Sequence, residues 1–458
     1  MADACKLFND GAAALAEVES NGIRIDTKYL AKTIESTKLQ IRELESELRE
    51  DDFYQKWRRE YGAKTNIDSR EQLGRILFDV MKYPCVERTA TGRSKADKGA
   101  FANIDLPFIR NYERLAKLKK LNSTYLNGVS REVQNGYLHA FYNLHTTVTY
   151  RGSSDTPNFQ NIPIRDPEIG GLIRSAFIAR KNHQLVEVDY AGIEVRIAAC
   201  YNKDPTLIKY ITDPTKDMHR DMAAQIYSVK PGQVSKGMRY CAKNMYVFPE
   251  FYGDWWQSCC QQLWGAVDSM KLELADGSSL RNHLTNIGFR ELGGCEPKER
   301  PTPGTFEHHI KEVEEDFWGR RFKVYSEWKK KWYTKYLTKG YFDLLTGFRC
   351  EGVFNRKEVI NYAVQGAAFH CLLWSLVQLN KRLKKNKMRS KVVGQIHDSI
   401  LGDVHKDEVQ DYLQMVHHIM TIELPELWKW INVPLEVEAE VSPLGGTWFD
   451  KKKVEIAL

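Results

Sequence analysis

Apolar positions in this chain mostly follow a helical period, and short continuous apolar runs interrupt it at a few places. Lys6 to Asn21-Gly22 reads as a helix, and Ile23 and Ile25 then make a short extended piece. Thr27–Arg49 reads as a long charged helix, with Ile34, Leu39, Ile41, Leu44 and Leu48 as its apolar stripe. Leu115–Leu121 is another helix, basic on one side. For Lys117, Lys119 and Lys120 a solvated face and a phosphate-gripping face compete on equal terms. Glu312–Lys339 is again helical, dense in Lys, Arg, Trp and Tyr.

Two apolar runs point to strands. Leu185, Val186 and Val188 lead directly to Asp189, after which Ile193, Val195 and Ile197 take up a helical spacing. The carboxyl end of a strand is where open sheets tend to carry their active sites. A turn residue or helix cap is the competing reading for Asp189 alone. Far downstream, Lys391–Val404 reads as two apolar strands with His397-Asp398 between them, and there an ordinary polar turn competes. Two strand-borne carboxylates repel unless a cation lies between them. Such hard oxygen donors suit Mg²⁺, and a pair of ions about 3.5–4 Å apart serves two-metal phosphoryl transfer.

Other stretches supply matching chemistry. Lys236, Arg239 and Lys243 recur at three- and four-residue spacing, so they share a helix face and suit a phosphate tail. Asp217-Met218-His219-Arg220-Asp221 opens a helix that Asp217 can cap. Thr147–Arg165 is rich in turn formers and amides. Asp254 to about Glu312, with Trp255-Trp256, Cys259-Cys260, Gly293-Gly294 and Pro301 to Pro303, reads as an insertion, partly loop, whose aromatics are expected to pack rather than to form a platform.

In order, these stretches resemble the family A (DNA polymerase I-like) DNA polymerases, phage or bacterial in type and polymerase domain only. Asp189-Tyr190-Ala191-Gly192-Ile193-Glu194-Val195-Arg196 resembles motif A, and Gln395-Ile396-His397-Asp398 resembles motif C. Arg239, Lys243 and Tyr252-Gly253 resemble motif B, with one extra residue after Lys243, so that Phe248 rather than Val247 is its aromatic and Pro249 disturbs the helix. Ala16–Asp26 resembles the lead-in to the polymerase domain. Asn66–Ser69 with Gln72-Leu73-Gly74 resembles a Ser-x-x-Gln-Leu element, and Thr147–Ser154 with Pro157–Pro163 the signature before motif A. Gly340–Arg349 resembles the turn-back hairpin, Asn361–Ala368 the Gln helix, and Val433–Glu438 the closing strand of the palm.

The resemblance implies an α+β right-hand fold: an antiparallel palm sheet with helical fingers and thumb. Residues 1–26 would lead into the palm, 27–135 form the thumb and 136–204 the palm with motif A. Residues 205–340 would form the fingers, with the insertion at about 254–312, and 341–458 the palm with motif C. It implies a template-directed DNA polymerase, a nucleotidyltransferase of DNA replication, adding dNTPs to a primer 3′-hydroxyl. Asp189 and Asp398 would be catalytic and, with the Tyr190 carbonyl, hold two Mg²⁺, Mn²⁺ being an alternative. Glu194, His219, Arg239, Lys243, Phe248 and Tyr252 would bind the dNTP, with Tyr246 competing with Phe248 for the sugar. Glu194 would exclude ribonucleotides; a surface Glu paired with Arg196 or a lysine is the competing reading. Arg151, Asn158, Gln160, Asn161, Gln365, Gln395 and His397 would contact primer-template DNA. Minor-groove acceptors occur at every base pair, so donors there test pair shape without reading sequence.

Two departures stand out. Ser399 occupies the place of a second motif C acid, with Asp403 or Glu187 expected to compensate, and Ala191-Gly192 replaces a polar pair of motif A. No 3′–5′ exonuclease is expected in this chain, which makes a separately encoded exonuclease or replisome protein the expected further partner. A single-subunit RNA polymerase-like enzyme and an inactive DNA-binding homologue are the alternatives.

Composition fits this picture. The 458 residues make two to four domains' worth of chain, 42% hydrophobic, with a net charge of +7 that is compatible with a polyanionic partner. No apolar run reaches about 18 residues, so no membrane span is expected. Met1–Cys5 shows no secretory signal. The nine cysteines follow no zinc-like or disulfide spacing, which fits reduced thiols and a cytoplasmic setting in a bacterial or phage-infected cell.

Overall fold

A computed structural model describes residues 4–83, 101, 104, 106–294 and 300–457. Met1, Ala2 and Asp3, part of the stretch read for a leader, lie outside the described residues. The architecture is α+β, as the pattern predicts. Its centre is a five-stranded antiparallel sheet in the order Lys391–Ile396, Ser399–His405, His183–Tyr190, Val437–Val441, Lys452–Val454. Leu185, Val186 and Val188 are fully buried, so the Asp189 strand is the interior strand its sequence suggested.

The strand turns into the helix Ile193–Asn202 through Gly192, whose φ of 64° is left-handed and open to glycine without strain. That turn explains why the pair after Tyr190 is small. The Tyr190 side chain enters the core, its hydroxyl 3.1 Å from Ser375 Oγ and donating to the Met420 carbonyl at 3.3 Å. Ser375 lies on the helix Arg356–Lys385, which packs along the sheet. Asp189 projects from the opposite face, as alternation along a strand requires.

The predicted helices form at Ala4–Asn21, Thr27–Glu50 and Pro107–Lys120. Ile23–Ile25 joins a small antiparallel sheet with Val133–Gln134, Tyr137–Leu138 and Phe177–Ile178. Two of the three basic residues in question on the Pro107–Lys120 helix are committed within the protein. Lys117 pairs with Asp166, and Lys119 with both Glu45 and Asp68.

The stretch read as partly loop contains three helices: Trp256–Ser269, Leu280–Asn286 and Phe306–Asp316. Trp256, Cys259 and Cys260 are buried there, which is the packing role expected of them, while Trp255 is exposed. Among the described residues all seven cysteines are free thiols.

On the Arg356–Lys385 helix, a Cβ at Gly366 would lie 2.4 Å from the Thr149 carbonyl oxygen and 2.8 Å from a Leu344 methyl. Backbone cannot yield cheaply there. Gly366→Ala should therefore destabilise the fold by about 2 kcal/mol, outweighing the gain in helix propensity. Urea unfolding monitored by circular dichroism measures this, and an unchanged or raised midpoint would refute the close approach.

Candidate active site

Strand pairing brings the two distant aspartates together. Ser399 is the register partner of Asp189, and the Tyr190 amide donates to the Asp398 carbonyl at 3.3 Å. On its other edge the Asp189 strand pairs with Val437–Val441, placing Glu438 opposite Asp189. Asp189 lines a cleft, where its carboxyl is reachable from solvent yet crowded by protein, and Asp398 is half-buried beside it. This desolvation raises the Asp189 carboxyl well above its ordinary range, and the Asp398, Glu187 and Glu438 carboxylates push the same way. Desolvation likewise raises Asp398, with Glu194 adding to it and Arg151 opposing. Among the described residues neither aspartate has a Lys, Arg or His ion-pair partner.

The cleft has a volume of about 930 Å³ and a basic wall opposite this acidic floor. His219 and Phe248 line it together with Arg239 and Lys243. Asp217 caps the His219 helix by accepting from the Arg220 amide at 3.0 Å. Its second oxygen accepts from Arg239 Nε at 2.7 Å, so one residue both starts the helix and orients the guanidinium. His219 is largely buried, and its Nδ1 has no hydrogen-bond partner. Burial, then the Arg239 and Lys243 charges, lower its pKa to about 4, with Asp217 opposing. It is therefore a neutral imidazole at physiological pH.

The irregular motif B has a structural cause. Lys236–Ala242 is an α-helix, but Lys243–Val247 is a π turn in which the Phe248 amide donates to the Lys243 carbonyl. A π turn absorbs one residue beyond the α-helical repeat. Phe248 thus takes the position over Lys243 that Val247 would hold in a regular helix. Lys243 Nζ lies 5.3 Å from the Phe248 ring centroid, and His219 meets that ring edge-on at 5.6 Å. Tyr246, the competing aromatic, is fully buried against Phe317 and does not line the cleft.

Glu194 accepts a hydrogen bond from the Tyr252 hydroxyl, and Asn361 Nδ2 donates to the Tyr252 carbonyl at 2.8 Å. The pairing of Glu194 with Arg196 does not form. Arg196 instead donates to the Ala191 and Pro434 carbonyls and pairs with Glu436 at 2.7 Å. It thereby ties the motif A turn to the chain entering the last palm strands.

Four of the expected DNA-facing residues form a linked group beside Asp398. Arg151 Nη2 lies 3.4 Å from His397 Nδ1. Gln160 donates to the Gln395 side-chain oxygen at 2.6 Å, and Gln395 donates to the His397 carbonyl at 2.6 Å. Asn158 and Asn161 are exposed at the ends of the short helical turn Phe159–Asn161. Gln365 is half-buried, one residue before the Gly366 contact with Thr149.

The expected compensation for the missing motif C acid is not what forms. Asp403 is four residues up the strand, opposite Leu185, where it is buried and paired with Arg180 at 2.6 Å. Glu187 is on the same strand face as Asp189, but its carboxylate is fully engaged. It accepts from Ser399 Oγ at 2.9 Å, from Trp448 Nε1 at 2.9 Å and from Lys451 Nζ. Burial would raise Glu187, yet Lys451 and these donors hold it below its ordinary range. Sequence reasoning also missed Asp217 as the partner of Arg239, and Glu436 and Glu438 in the cleft lining. The alternation Glu436, Glu438, Glu440 on a predicted closing strand was the available signal.

The chain matches the family profile described as DNA polymerase family A over residues 31–269 and 324–449. It is 30% identical over 96% of its length to a thermostable DNA polymerase I of Thermus filiformis, of which it spans 47%. It is 27% identical, again over 96% of its length, to DNA polymerase I of Bacillus caldotenax, of which it spans 45%. The chain thus spans about half the length of the curated relatives it matches. A solved structure, described as the POL domain of Pol1 from M. smegmatis in complex with DNA primer-template and dNTP, superposes with a TM-score of 0.73. That likeness covers 96% of this chain and 70% of the other at 24% identity, and it bears on the fold. With the profile matched over most of its length, the chain belongs to DNA polymerase family A.

Proposed function

We propose that this chain is a template-directed DNA polymerase that adds dNTPs to a primer 3′-hydroxyl. The observation that carries the reading is the cleft itself: Asp189 on its floor, with Asp398 brought beside it by strand pairing, and a wall of Arg239, Lys243 and neutral His219. We further assign 27–135 to the thumb, 205–340 to the fingers and the central sheet with its flanking segments to the palm. Primer-template DNA and dNTP are the partners in the similar POL domain complex. A separately encoded exonuclease and work in the cytoplasm complete the proposal. Among the described residues no helix is long and apolar enough to cross a membrane.

The floor fits divalent cations. Two adjacent carboxylates with raised pKa values and, among the described residues, no ion-pair partner form a donor set that a hard cation would neutralise. Asp189, Asp398 and the Tyr190 carbonyl would hold Mg²⁺ or Mn²⁺. Bound there, the ions supply acidification of the primer hydroxyl and neutralisation of charge on the transferred phosphoryl group. The protein's own groups do the rest. Arg239 and Lys243 neutralise the triphosphate tail, and His219 can donate to it as a neutral imidazole. Phe248 packs against the nucleotide, and the Glu194–Tyr252 pair crowds the sugar 2′-position. Arg151, Gln160, Gln395 and His397, with Asn158, Asn161 and Gln365, face the minor groove of the primer-template, where their donors meet N3 and O2 acceptors.

Asp189→Asn and Asp398→Asn should each lower primer extension by about a thousandfold or more, as expected for loss of a two-metal ligand, while primer-template affinity stays within about twofold. Extension near the wild-type rate in either variant would refute the site. Glu194→Ala should retain dNTP incorporation and admit ribonucleotides, and unchanged sugar selectivity in competition assays would reject the gate. His219 should contribute stability that is present above pH 6.5 and lost as pH falls toward its folded value near 4, because the unfolded imidazole protonates first. Against His219→Leu, the wild-type should show an additional loss of about 2 kcal/mol between pH 6.5 and 4. Parallel stability profiles would show that the imidazole is not desolvated.

A further inference from the structure

Glu250 lies between the two nucleotide-facing aromatics of motif B, yet its side chain takes the opposite direction. In Phe248–Phe251 and the following turn, Phe248 and Tyr252 are each two residues from Glu250, so at about 100° per residue they point away from it. Phe248 faces the large cleft, and Tyr252 reaches Glu194. Glu250 is 1% exposed and points into the core. An ionised carboxylate isolated there would be very costly, so its partners matter.

We propose that Glu250 positions Phe248 and Tyr252 for the incoming nucleotide, through the hydrogen bond that it accepts from the Trp318 indole. This rests on the polymerase reading and deepens it. Trp318 Nε1 donates to Glu250 Oε2 at 2.8 Å, and the Cys259 thiol lies 3.7 Å from Oε1. Glu314 in turn accepts from the Trp256 amide at 2.8 Å. The ammonium of the buried Lys329 sits 3.0 Å from the centroid of a Trp318 ring, fixing the indole from its face while Glu250 fixes its edge. Burial first, and the nearby Glu314 carboxylate next, raise the Glu250 carboxyl well above its ordinary range.

The partners come from a segment that the family profile leaves unmatched, residues 270–323, in which Glu314 and Trp318 both lie. The same segment braces the other cleft helices. The Ala275 amide donates to the Gln233 carbonyl at 2.9 Å, just before the Arg239 helix. Asp316 accepts from Gln225, on the His219 helix, at 3.0 Å. The segment thus acts as a brace behind the nucleotide wall, and Glu250 is the point at which it grips the aromatic turn.

The test is single-nucleotide primer extension with the whole chain, with primer-template affinity measured alongside. Glu250→Leu removes the hydrogen bond from the Trp318 indole; it should raise the KM for dNTP about tenfold and lower the deoxy-over-ribo preference, because small misplacements at such sites are costly. Its kcat should fall less than its KM rises, and primer-template affinity should be unchanged. Glu250→Gln, which keeps a side-chain oxygen able to accept from the indole, should stay within about twofold of wild-type. Trp318→Phe keeps an aromatic ring but removes the indole N–H together with one ring, and should shift KM and sugar preference in the same direction by less. A folded Glu250→Leu chain with wild-type KM and sugar preference would overturn the proposal, as would Glu250→Gln behaving like Glu250→Leu. If Glu250→Leu does not fold, Trp318→Phe decides, and an unchanged KM overturns the proposal. A wild-type chain that extends no primer would overturn the polymerase reading and this proposal together, whereas an active wild-type with unresponsive variants would overturn this one alone.

Discussion

The antiparallel pairing of Ser399 with Asp189 is the constraint on which the site depends. It forces Asp398, at the tip of the hairpin, against the end of the Asp189 strand. Crowding by protein, and for Asp189 the nearby Asp398 charge, make ionisation costly there, and the raised pKa values of both groups express that cost. The pairing persists because the strand ends are held from behind. Val186, Val188 and Tyr190 are buried, Tyr190 bonds to Ser375 and Met420, and the long Arg356–Lys385 helix covers that face. Hydrophobic burial on one face of the sheet thus sustains electrostatic strain on the other.

The carboxylates of the sheet are sorted by their partners. Glu187 faces the same way as Asp189 but is neutralised by Lys451, Trp448 and Ser399. Asp403 is neutralised by Arg180 at the far end of the strand. Only Asp189 and Asp398 keep their charge deficit open to the cleft. The residue that stands in for a motif C acid, Ser399, spends its hydroxyl on holding Glu187 away from that role.

The opposite wall depends on backbone irregularity. A single π turn at Lys243–Val247 shifts the register of the motif B helix, so that Phe248 faces the cleft and Tyr252 reaches Glu194, while Tyr246 and Glu250 face the core. Each of those inward groups is then met by the helices of the segment 270–323 and its flanks, Tyr246 by Phe317 and Glu250 by Trp318.

How much of this was legible differs by element. The strand ending at Asp189, the His397-Asp398 hairpin tip and the helices at 4–21 and 27–50 follow from local hydrophobic period and turn chemistry, and the sequence alone determined them. The grouping of Arg239 with Lys243 was equally local, since residues four apart on a helix share a face. The extra residue before Phe248 was also visible, although its form as a π turn was not. What only the tertiary structure decided were the partners between distant segments. Lys451 with Glu187, Arg180 with Asp403, Asp217 with Arg239 and Trp318 with Glu250 are such pairs. A side chain's type states what it can bind, but which neighbour arrives depends on how sheets and helices pack, and local pattern does not encode that.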